Sequence, residues 1–532
     1  MSPLNPLFAF SKRGAVGIAM GALLLAGCNS LDVENPNAPD ASRALADPNA
    51  IEAVAGGTVR SWLMTYTGME GGGPLVTMAR SYSASWNNFN MNFYSSLDAD
   101  GTRNERGYKN DLASAERSTI QAYWEGYYST VSSAVDVLTA IRKNKVVIGT
   151  PTQTKRAEAV AQLMRGAALM GIALNYDKGY VIDENTDLAK LEYKTRKAVR
   201  DAAVAALNDA ATIASGTAFT TPAGWTNGSA YTNVQIAAIA RTMAAMTLAY
   251  YPRTPEENAQ VDWAQVATFA SGGMSSLSTP VDLNFTGSGY GSAWYNDILY
   301  WFTMDGGRVH TRVAALLDPA TQRDPYPNGG NREPNSPDRR LGDGSFGPDD
   351  PDFIDYFGTV PRTSRGGSDF AYSAVEIFRP ARGMYHQSNI SHTRWDRTGE
   401  LASNGLYGGF GLTPAITHHV NDIVWAEAEI RRGNLARAAD LINKTRVTRG
   451  GLSPATAAEG AASLTQKLIY EQEVELLGLG AISFYQRRRV AGGLITGTPR
   501  EMPVPAKELG VTGQAFYTFG GGGNPANSPT PP

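Results

Sequence analysis

Apolar residues recur at intervals of three or four through most of the first half of the chain, which is the spacing of an amphipathic helix. In the clearest case one stripe consists of Val160, Leu163, Ala167, Met170 and Leu174. The pattern predicts helices over residues 123–141, 155–175, 197–214, 233–251 and 262–271. Arg165 and Arg241 lie inside these apolar segments, so we do not expect the segments to span a membrane.

The same spacing returns near the C-terminus. A stripe over residues 416–428 ends at a Gly-Asn pair, and a second stripe begins at Leu435 and stops at a pair of glycines. A short turn between two amphipathic helices predicts an antiparallel helix pair. A third helix is predicted over residues 463–480.

The middle of the chain has a different character. Between Asp324 and Pro351, 11 of 28 positions are Gly or Pro, which excludes a long helix or a central strand there. Aromatic residues nevertheless occur throughout residues 276–412, and disordered segments are poor in them. The sequence therefore predicts a mainly α protein with an irregular, aromatic-rich loop region over a helical body.

The N-terminus has the order of a secretory leader. Lys12 and Arg13 precede an apolar run over residues 14–26. This run is shorter than the roughly 20 residues that a membrane-spanning helix needs. It ends in Leu-Ala-Gly followed by Cys28, which resembles a lipobox. We expect residues 1–27 to be removed and Cys28 to be lipidated; a buried free cysteine is the alternative.

Cys28 is the only cysteine, so disulfides and thiolate metal sites are excluded. Removal of the leader takes away two cations and changes the formal charge from −3 to −5. Nothing basic enough for nucleic-acid binding is left. The polar segment after Cys28 is predicted to be a short tether, and Asn29 next to the cysteine favours sorting to the outer membrane.

Several segments in the C-terminal part resemble the SusD/RagB family of nutrient-binding outer-membrane lipoproteins. They are WAEAEIRRGN at 425–434, AADLINKTR at 438–446, GGL at 450–452, IYEQEVEL at 469–476 and the proline motif REMPVPAKEL at 500–509. Gly480, Phe484 and the arginines at 487–488 continue the resemblance. Leu479 and Tyr485 depart from it, because the family usually has Glu and Asp there.

The resemblance implies a single SusD-like domain over residues 41–519, with tetratricopeptide-like helical pairs. Its parts are predicted to be an N-terminal helical part at 41–275, an irregular ligand-facing part at 276–412, and a C-terminal helical part with the proline motif at 413–519. A lipidated tether at 28–40 precedes it and a flexible tail at 520–532 follows it.

The resemblance also implies a function. Such proteins are anchored in the outer membrane, exposed at the cell surface, and capture oligosaccharides or similar nutrients. They deliver these to a SusC-like TonB-dependent transporter, need no cofactor and catalyse no reaction. The residues leave open whether the ligand is a glycan, a glycopeptide or a peptide.

Sugar binding needs flat apolar rings beside polar groups that bond hydroxyls. Aromatic and amide residues lie next to each other in two segments, and two further rings lie in the irregular part. The predicted ligand-binding residues are Trp86, Asn88, Trp294, Tyr295, Asn296, Trp301, Tyr385 and Trp395. For each ring, a place in the core is the alternative.

Other chemistry is less well supported by the sequence. Glu471 and Glu475 share a helix face and could form a glycosidase pair, but nearby arginines favour a structural ion-pair network. The acidic string at 349–355 could bind calcium, but it lacks the regular alternation and the glycine of an EF-hand, which favours a solvated loop. His418 and His419 are adjacent, so on a helix they should point about 100° apart and not share a metal. No metal site is predicted.

Two other functions compete with nutrient binding. One is a lipid-anchored surface glycoside hydrolase, since glycosidase carboxylates leave no short motif. The other is a helical-repeat scaffold that binds protein partners.

Overall fold

The computed structural model describes residues 46–84, 87–95, 106–289, 291–303, 308–324, 334–341, 367–372, 386–392, 394–395 and 410–521, all within one compact unit. The leader, Cys28 and the tether lie outside these residues, and so do Trp86, Tyr385 and the acidic string at 349–355.

The described chain is mainly helical, as predicted. The long helices of the first half are α1 (Pro48–Tyr66), α2 (Met69–Met78), α4 (Ser118–Leu138), α5 (Pro151–Asn175), α6 (Arg196–Ser215), α7 (Asn233–Tyr250) and α9 (Trp263–Ser271), with short helices α3 (Met91–Ser95) and α8 (Pro255–Ala259) between them. The second half contains α10 (Asp297–Thr303), α11 (Thr311–Leu317), α12 (His418–Arg431), α13 (Leu435–Arg446), α14 (Gly460–Val474), α15 (Ile482–Arg488) and α16 (Ala506–Val511).

The strands are short and pair two by two, always antiparallel. The pairs are β1 (Tyr82–Ser83) with β5 (Arg308–Val309), β2 (Lys178–Gly179) with β3 (Lys194–Thr195), β4 (Leu283–Ser288) with β8 (Phe410–Ile416), and β6 (Phe370–Tyr372) with β7 (Ile390–His392). The predicted irregular part thus contains five of these strands and two helices among its described residues.

Local sequence signals explain where the long helices begin. The Asp47 side chain accepts a hydrogen bond from the backbone at the start of α1. Thr150 with Gln153 at α5, and Thr232 with Gln235 at α7, each form a reciprocal capping box. These side chains bond backbone N–H groups that have no partner within the helix, so each start is fixed by residues close in sequence.

The long helices pack in a continuous series in which each contacts the next: α1, α4, α5, α6, α7, α9, α12, α13 and α14. This arrangement of neighbouring helix pairs buries one large apolar core. Among the described residues, α5 is the one helix long and apolar enough to cross a membrane, and its whole apolar stretch is buried inside the protein.

The chain reverses after α14 at two left-handed glycines, Gly478 (φ 83°) and Gly480 (φ 59°). A Cβ atom on Gly480 would lie 2.8 Å from the ring of Tyr66, so both the backbone and the packing require glycine. The terminal proline motif then closes the molecule. Asn110 accepts from Ala506 N–H at 2.7 Å and donates to the Val504 carbonyl at 2.9 Å.

Candidate functional site

Trp294 lies in the turn between β4 and α10. Its carbonyl accepts from Ser288 N–H at 2.9 Å, and its N–H donates to Ser292 Oγ at 3.3 Å. The indole ring is half-buried, 6.0 Å from the ring of Phe285 in β4, and packs against the main core. Trp294 therefore packs in part as a core residue, the alternative that the sequence left open.

Asn296 is buried, with an exposed fraction of 7%. Its Oδ1 accepts from Leu299 N–H at 3.0 Å, and its carbonyl accepts from Tyr300 N–H at 3.1 Å. The side chain thus caps α10. An asparagine two residues before an apolar helical run is a capping signal, and it could have been recognised in the sequence.

Asp297 organises the aromatic residues around it. Its carboxylate accepts from the Tyr295 hydroxyl at 2.7 Å and from Met69 N–H at 3.1 Å. Burial raises the pKa of this carboxyl, while the hydrogen bonds from Tyr295, Met69 and the Trp301 indole act against the increase. Asp297 was not among the site residues predicted from the sequence, although it directly follows Asn296.

Four rings form an aromatic cluster, which we define as Phe89, Tyr295, Tyr300 and Trp301. Ring centroids are 5.5 Å apart for Tyr295 and Tyr300, and 5.4 Å apart for Tyr300 and Trp301. Phe89 meets the edge of Trp301 at 5.4 Å. Tyr300 is buried, whereas the other three rings are half-buried and present part of their surface to solvent.

The turn at residues 87–90 brings Phe89 to Trp301. Phe89 and Asn90 both have left-handed backbones, with φ of 53° and 61°. The turn is held by Asn90, whose Nδ2 donates to Thr119 Oγ1 at 3.0 Å. Asn88 is exposed beside Phe89. The structure thus joins two of the predicted segments, 86–90 and 294–301, which are about 200 residues apart in the sequence.

A polar cleft of about 230 Å³ lies at the start of α4. We define it by the residues that line it with polar groups: Glu70, Arg117, Ser118, Gln121 and Glu125. Two residues link it to the aromatic cluster: Asn90, which follows Phe89, donates to Ser118 Oγ at 3.3 Å, and Asp297, which bonds Tyr295, acts on the charge of Glu70. Burial and the carboxylates of Asp297 and Glu125 raise the pKa of Glu70.

Trp395 is placed at a different feature. The guanidinium of Arg394 lies 4.5 Å from its ring, and the same guanidinium bonds Glu475 at 2.8 Å. Trp395 therefore lies beside a group of buried charges, and its predicted role in ligand binding stays a prediction.

Glu471 and Glu475 form the structural ion-pair network that the sequence favoured. Arg340 bonds Glu471 at 2.7 Å and Glu475 at 3.1 Å, and all three side chains have no exposed surface. Arg449 bonds Glu475 at 2.9 Å. Burial alone would raise the pKa of Glu475, but the surrounding cations hold this pKa well below its usual range. Arg340, the principal partner, comes from the irregular part and was missed.

His418 and His419 lie in the first turn of α12 with ring centroids 4.1 Å apart. With Asp422 they place one potential ligand atom each within 4.8 Å of one another. The expectation that adjacent histidines on a helix cannot share a metal is therefore wrong. Their Cα–Cβ bonds diverge, but rotation about two side-chain bonds brings the rings together.

No protein-family model matches the sequence, and no curated protein matches it. A SusD homolog from Bacteroides thetaiotaomicron is similar in structure, with 13% identity, a TM-score of 0.56, and 91% of this chain and 98% of that chain covered. A SusD superfamily protein from Bacteroides vulgatus has 12% identity and a TM-score of 0.51, covering 84% of this chain and 88% of its own.

A SusD-like carbohydrate-binding protein from Bacteroides vulgatus is similar to the same degree, with 11% identity and a TM-score of 0.51. The superposition covers 85% of this chain and 86% of that protein. These likenesses cover most of the chain, and the fold expected from the sequence motifs is confirmed. The protein is a mainly helical chain with the SusD-like fold.

Proposed function

We propose that this protein is a cell-surface lipoprotein that captures oligosaccharides or similar nutrients and delivers them to a SusC-like TonB-dependent outer-membrane transporter. The shared fold supports the proposal, since one similar structure is described as a carbohydrate-binding protein. The lipobox at Cys28 supports surface anchoring. The lipid would hold the receptor at the outer membrane, next to the transporter.

The observation that carries the proposal is the aromatic cluster beside the polar cleft. The half-buried rings of Phe89, Tyr295 and Trp301 offer apolar surface for a pyranose, and the amide and carboxylate groups of the cleft suit its hydroxyls. A ring that buries on the order of 80 Å² of apolar surface contributes roughly 2 kcal/mol. Two rings therefore approach the ~4 kcal/mol of a millimolar complex.

Under this proposal the protein binds its ligand without catalysing a reaction. Glu471 and Glu475 are at the spacing of an acid/base pair, but both are buried and bonded to guanidinium groups. A glycosidase carboxyl has to reach the sugar and exchange a proton with it. The structural role of these two carboxylates thus weighs against the hydrolase hypothesis.

The test is a titration of residues 29–532 with a panel of glycans and peptides, followed by affinity measurements on variants. We expect Trp301→Ala to weaken glycan binding by about ten- to thirtyfold, the equivalent of one ring. Tyr295→Ala should have a smaller effect, since its hydroxyl is bonded to Asp297. Trp425, a half-buried tryptophan on α12, supplies the control Trp425→Ala with unchanged affinity.

Release of reducing ends from a bound glycan would contradict the proposal of binding without hydrolysis. Unchanged affinity in a folded Trp301→Ala protein would place the ligand elsewhere on the molecule.

A further inference from the structure

The start of α12 has the arrangement of a metal site. His418 and Asp422 are four residues apart, one helical turn, so they lie on the same face of the helix. His419 joins them, and one potential ligand atom from each of the three side chains lies within 4.8 Å of the others. We propose that His418, His419 and Asp422 bind a divalent transition-metal ion such as Zn²⁺.

Each histidine is oriented by a carboxylate outside the triad. His418 Nδ1 lies 2.7 Å from Asp282 Oδ1, and His419 Nδ1 lies 3.3 Å from Glu475 Oε1. A carboxylate at Nδ1 fixes the ring and leaves Nε2 as the nitrogen for a metal. Histidines that bind metals commonly have this second partner, which also makes the ring more basic.

Asp422 is also oriented by residues outside the triad, here by two serines. It is fully buried, and its two carboxylate oxygens accept from the hydroxyls of Ser275 and Ser276, each at 2.5 Å. Ser276 N–H adds a contact at 3.2 Å to each oxygen. Hydrogen-bond donors that orient a carboxylate are typical of metal ligands. The two 3.2 Å contacts share one N–H, so a metal ion would replace one of them at the carboxylate.

The dimensions suit a small ion. Zinc binds imidazole nitrogen and carboxylate oxygen at about 2.0–2.2 Å, so its ligand atoms lie roughly 3.5 Å apart. Closing the triad from 4.8 Å needs side-chain shifts of about one ångström. Two nitrogens and one oxygen favour zinc or nickel over calcium or magnesium, which prefer oxygen.

The surroundings supply charge and access. The positive end of a helix disfavours a cation, and the carboxylates of Asp282 and Asp422 offset it. Both histidine rings are half-buried, so an ion can reach them from solvent. A bound ion would be held by α12 alone, while the segment before β4 and the end of α14 supply the carboxylates that orient the two histidines.

The experiment uses residues 29–532 without a polyhistidine tag, stripped of metal with a chelator. Zn²⁺ is titrated by calorimetry, and Co²⁺ is followed by its visible absorption. We expect one Zn²⁺ per chain and Co²⁺ bands typical of four ligands. His418→Ala and His419→Ala should each abolish this binding. His386→Ala is the matched control, since its ring stacks on His310, outside the triad, and binding should be retained.

A second variant does not remove a ligand. Asp282→Asn keeps the size of the side chain and should weaken Zn²⁺ binding by about 10- to 100-fold through His418. Absence of stoichiometric Zn²⁺ binding to the wild-type chain overturns the proposal. So does equal affinity in the wild type and in folded His418→Ala and His419→Ala proteins, which would locate the ion elsewhere.

Discussion

Three consecutive residues in the turn before α10 have different tasks, although all three look suited to contact a sugar. Trp294 packs on the core beside Phe285, Tyr295 donates to Asp297, and Asn296 caps the helix. Their roles differ because different atoms lie within packing or hydrogen-bonding distance of each side chain. Residue type alone therefore does not separate a binding residue from a structural one.

Asn296→Ala and Asn88→Ala separate these roles. Loss of the cap in Asn296→Ala should lower the free energy of unfolding by about 1 kcal/mol. Asn88 is exposed next to Phe89, so Asn88→Ala should leave stability within about 0.5 kcal/mol and weaken glycan binding. Chemical denaturation and a glycan titration measure the two effects. Equal losses of stability in both variants would contradict the assignment of the cap.

His392 provides a pH-dependent prediction at a single residue. Its Nδ1 lies 2.6 Å from the Tyr82 hydroxyl, and burial lowers its pKa from the ordinary 6.5 to about 3, against the attraction of Asp369. In this window the unfolded chain binds a proton that the folded chain does not. Stability is therefore lost as the pH falls from 6.5 towards 3, by up to about 1.4 kcal/mol per pH unit.

His392→Gln tests this linkage by removing the titrating group. The free energy of unfolding of the variant should fall less steeply than that of the wild type between pH 6 and pH 4, measured by urea denaturation. Parallel curves for the two proteins would show that His392 is not kept neutral by the fold.

At the scale of elements, α14 connects the irregular part to the helical body. Glu471 and Glu475 project from its end and receive Arg340 from the segment before β6. Asp338 also bonds Arg340, at 2.8 Å. Charges buried in this way are costly if one partner is removed, because the others lose their compensation. The network thus anchors a part of the chain that has few long helices of its own.

Arg340→Ala should destabilise the protein by about 3–5 kcal/mol, because it leaves buried carboxylates without their central cation. Arg437 on α13 supplies the control, since its side chain is exposed and pairs with the exposed Asp440 at 3.5 Å, and Arg437→Ala should change stability by about 0.5 kcal/mol or less. Thermal or urea unfolding of the two variants gives the comparison. Similar losses in both would argue against a dominant role for the buried network.

At the scale of the molecule, the segment just before α4 meets the C-terminal end of the described chain. Asn110, near the start of α4, bonds the proline motif at Val504 and Ala506. Tyr108 N–H also donates to the Phe519 carbonyl at 3.0 Å. The C-terminal motif therefore completes the first helical part, and we expect truncation before residue 500 to expose apolar surface there.

Anchoring of the whole protein is predicted to depend on Cys28. Cys28→Ala should block lipidation and move the protein from the membrane fraction to the soluble fraction, as seen by fractionation and by intact-mass analysis. The isolated variant should bind the same glycans, since the compact unit begins at residue 45. An unmodified Cys28 in native protein would contradict the proposed route to the transporter.

The sequence by itself determined most of the long helices and their order. The helix predicted at 197–214 is found at Arg196–Ser215, and that predicted at 233–251 is found at Asn233–Tyr250. Apolar spacing and capping residues act over a few positions, so they can be recognised locally. The family motifs indicated the fold for the same reason, because they lie on single helices and turns.

Only the tertiary structure decided which distant residues meet. Arg340 bonds Glu471, which is 131 positions away in the sequence. Phe89 contacts Trp301, although no hydrophobic periodicity in the sequence relates the two segments. The convergence of His418 and His419 also depends on carboxylates from two other segments. Such contacts depend on how the connecting segments cross the helical body. The buried charge network, the aromatic cluster and the candidate metal site therefore became visible only in three dimensions.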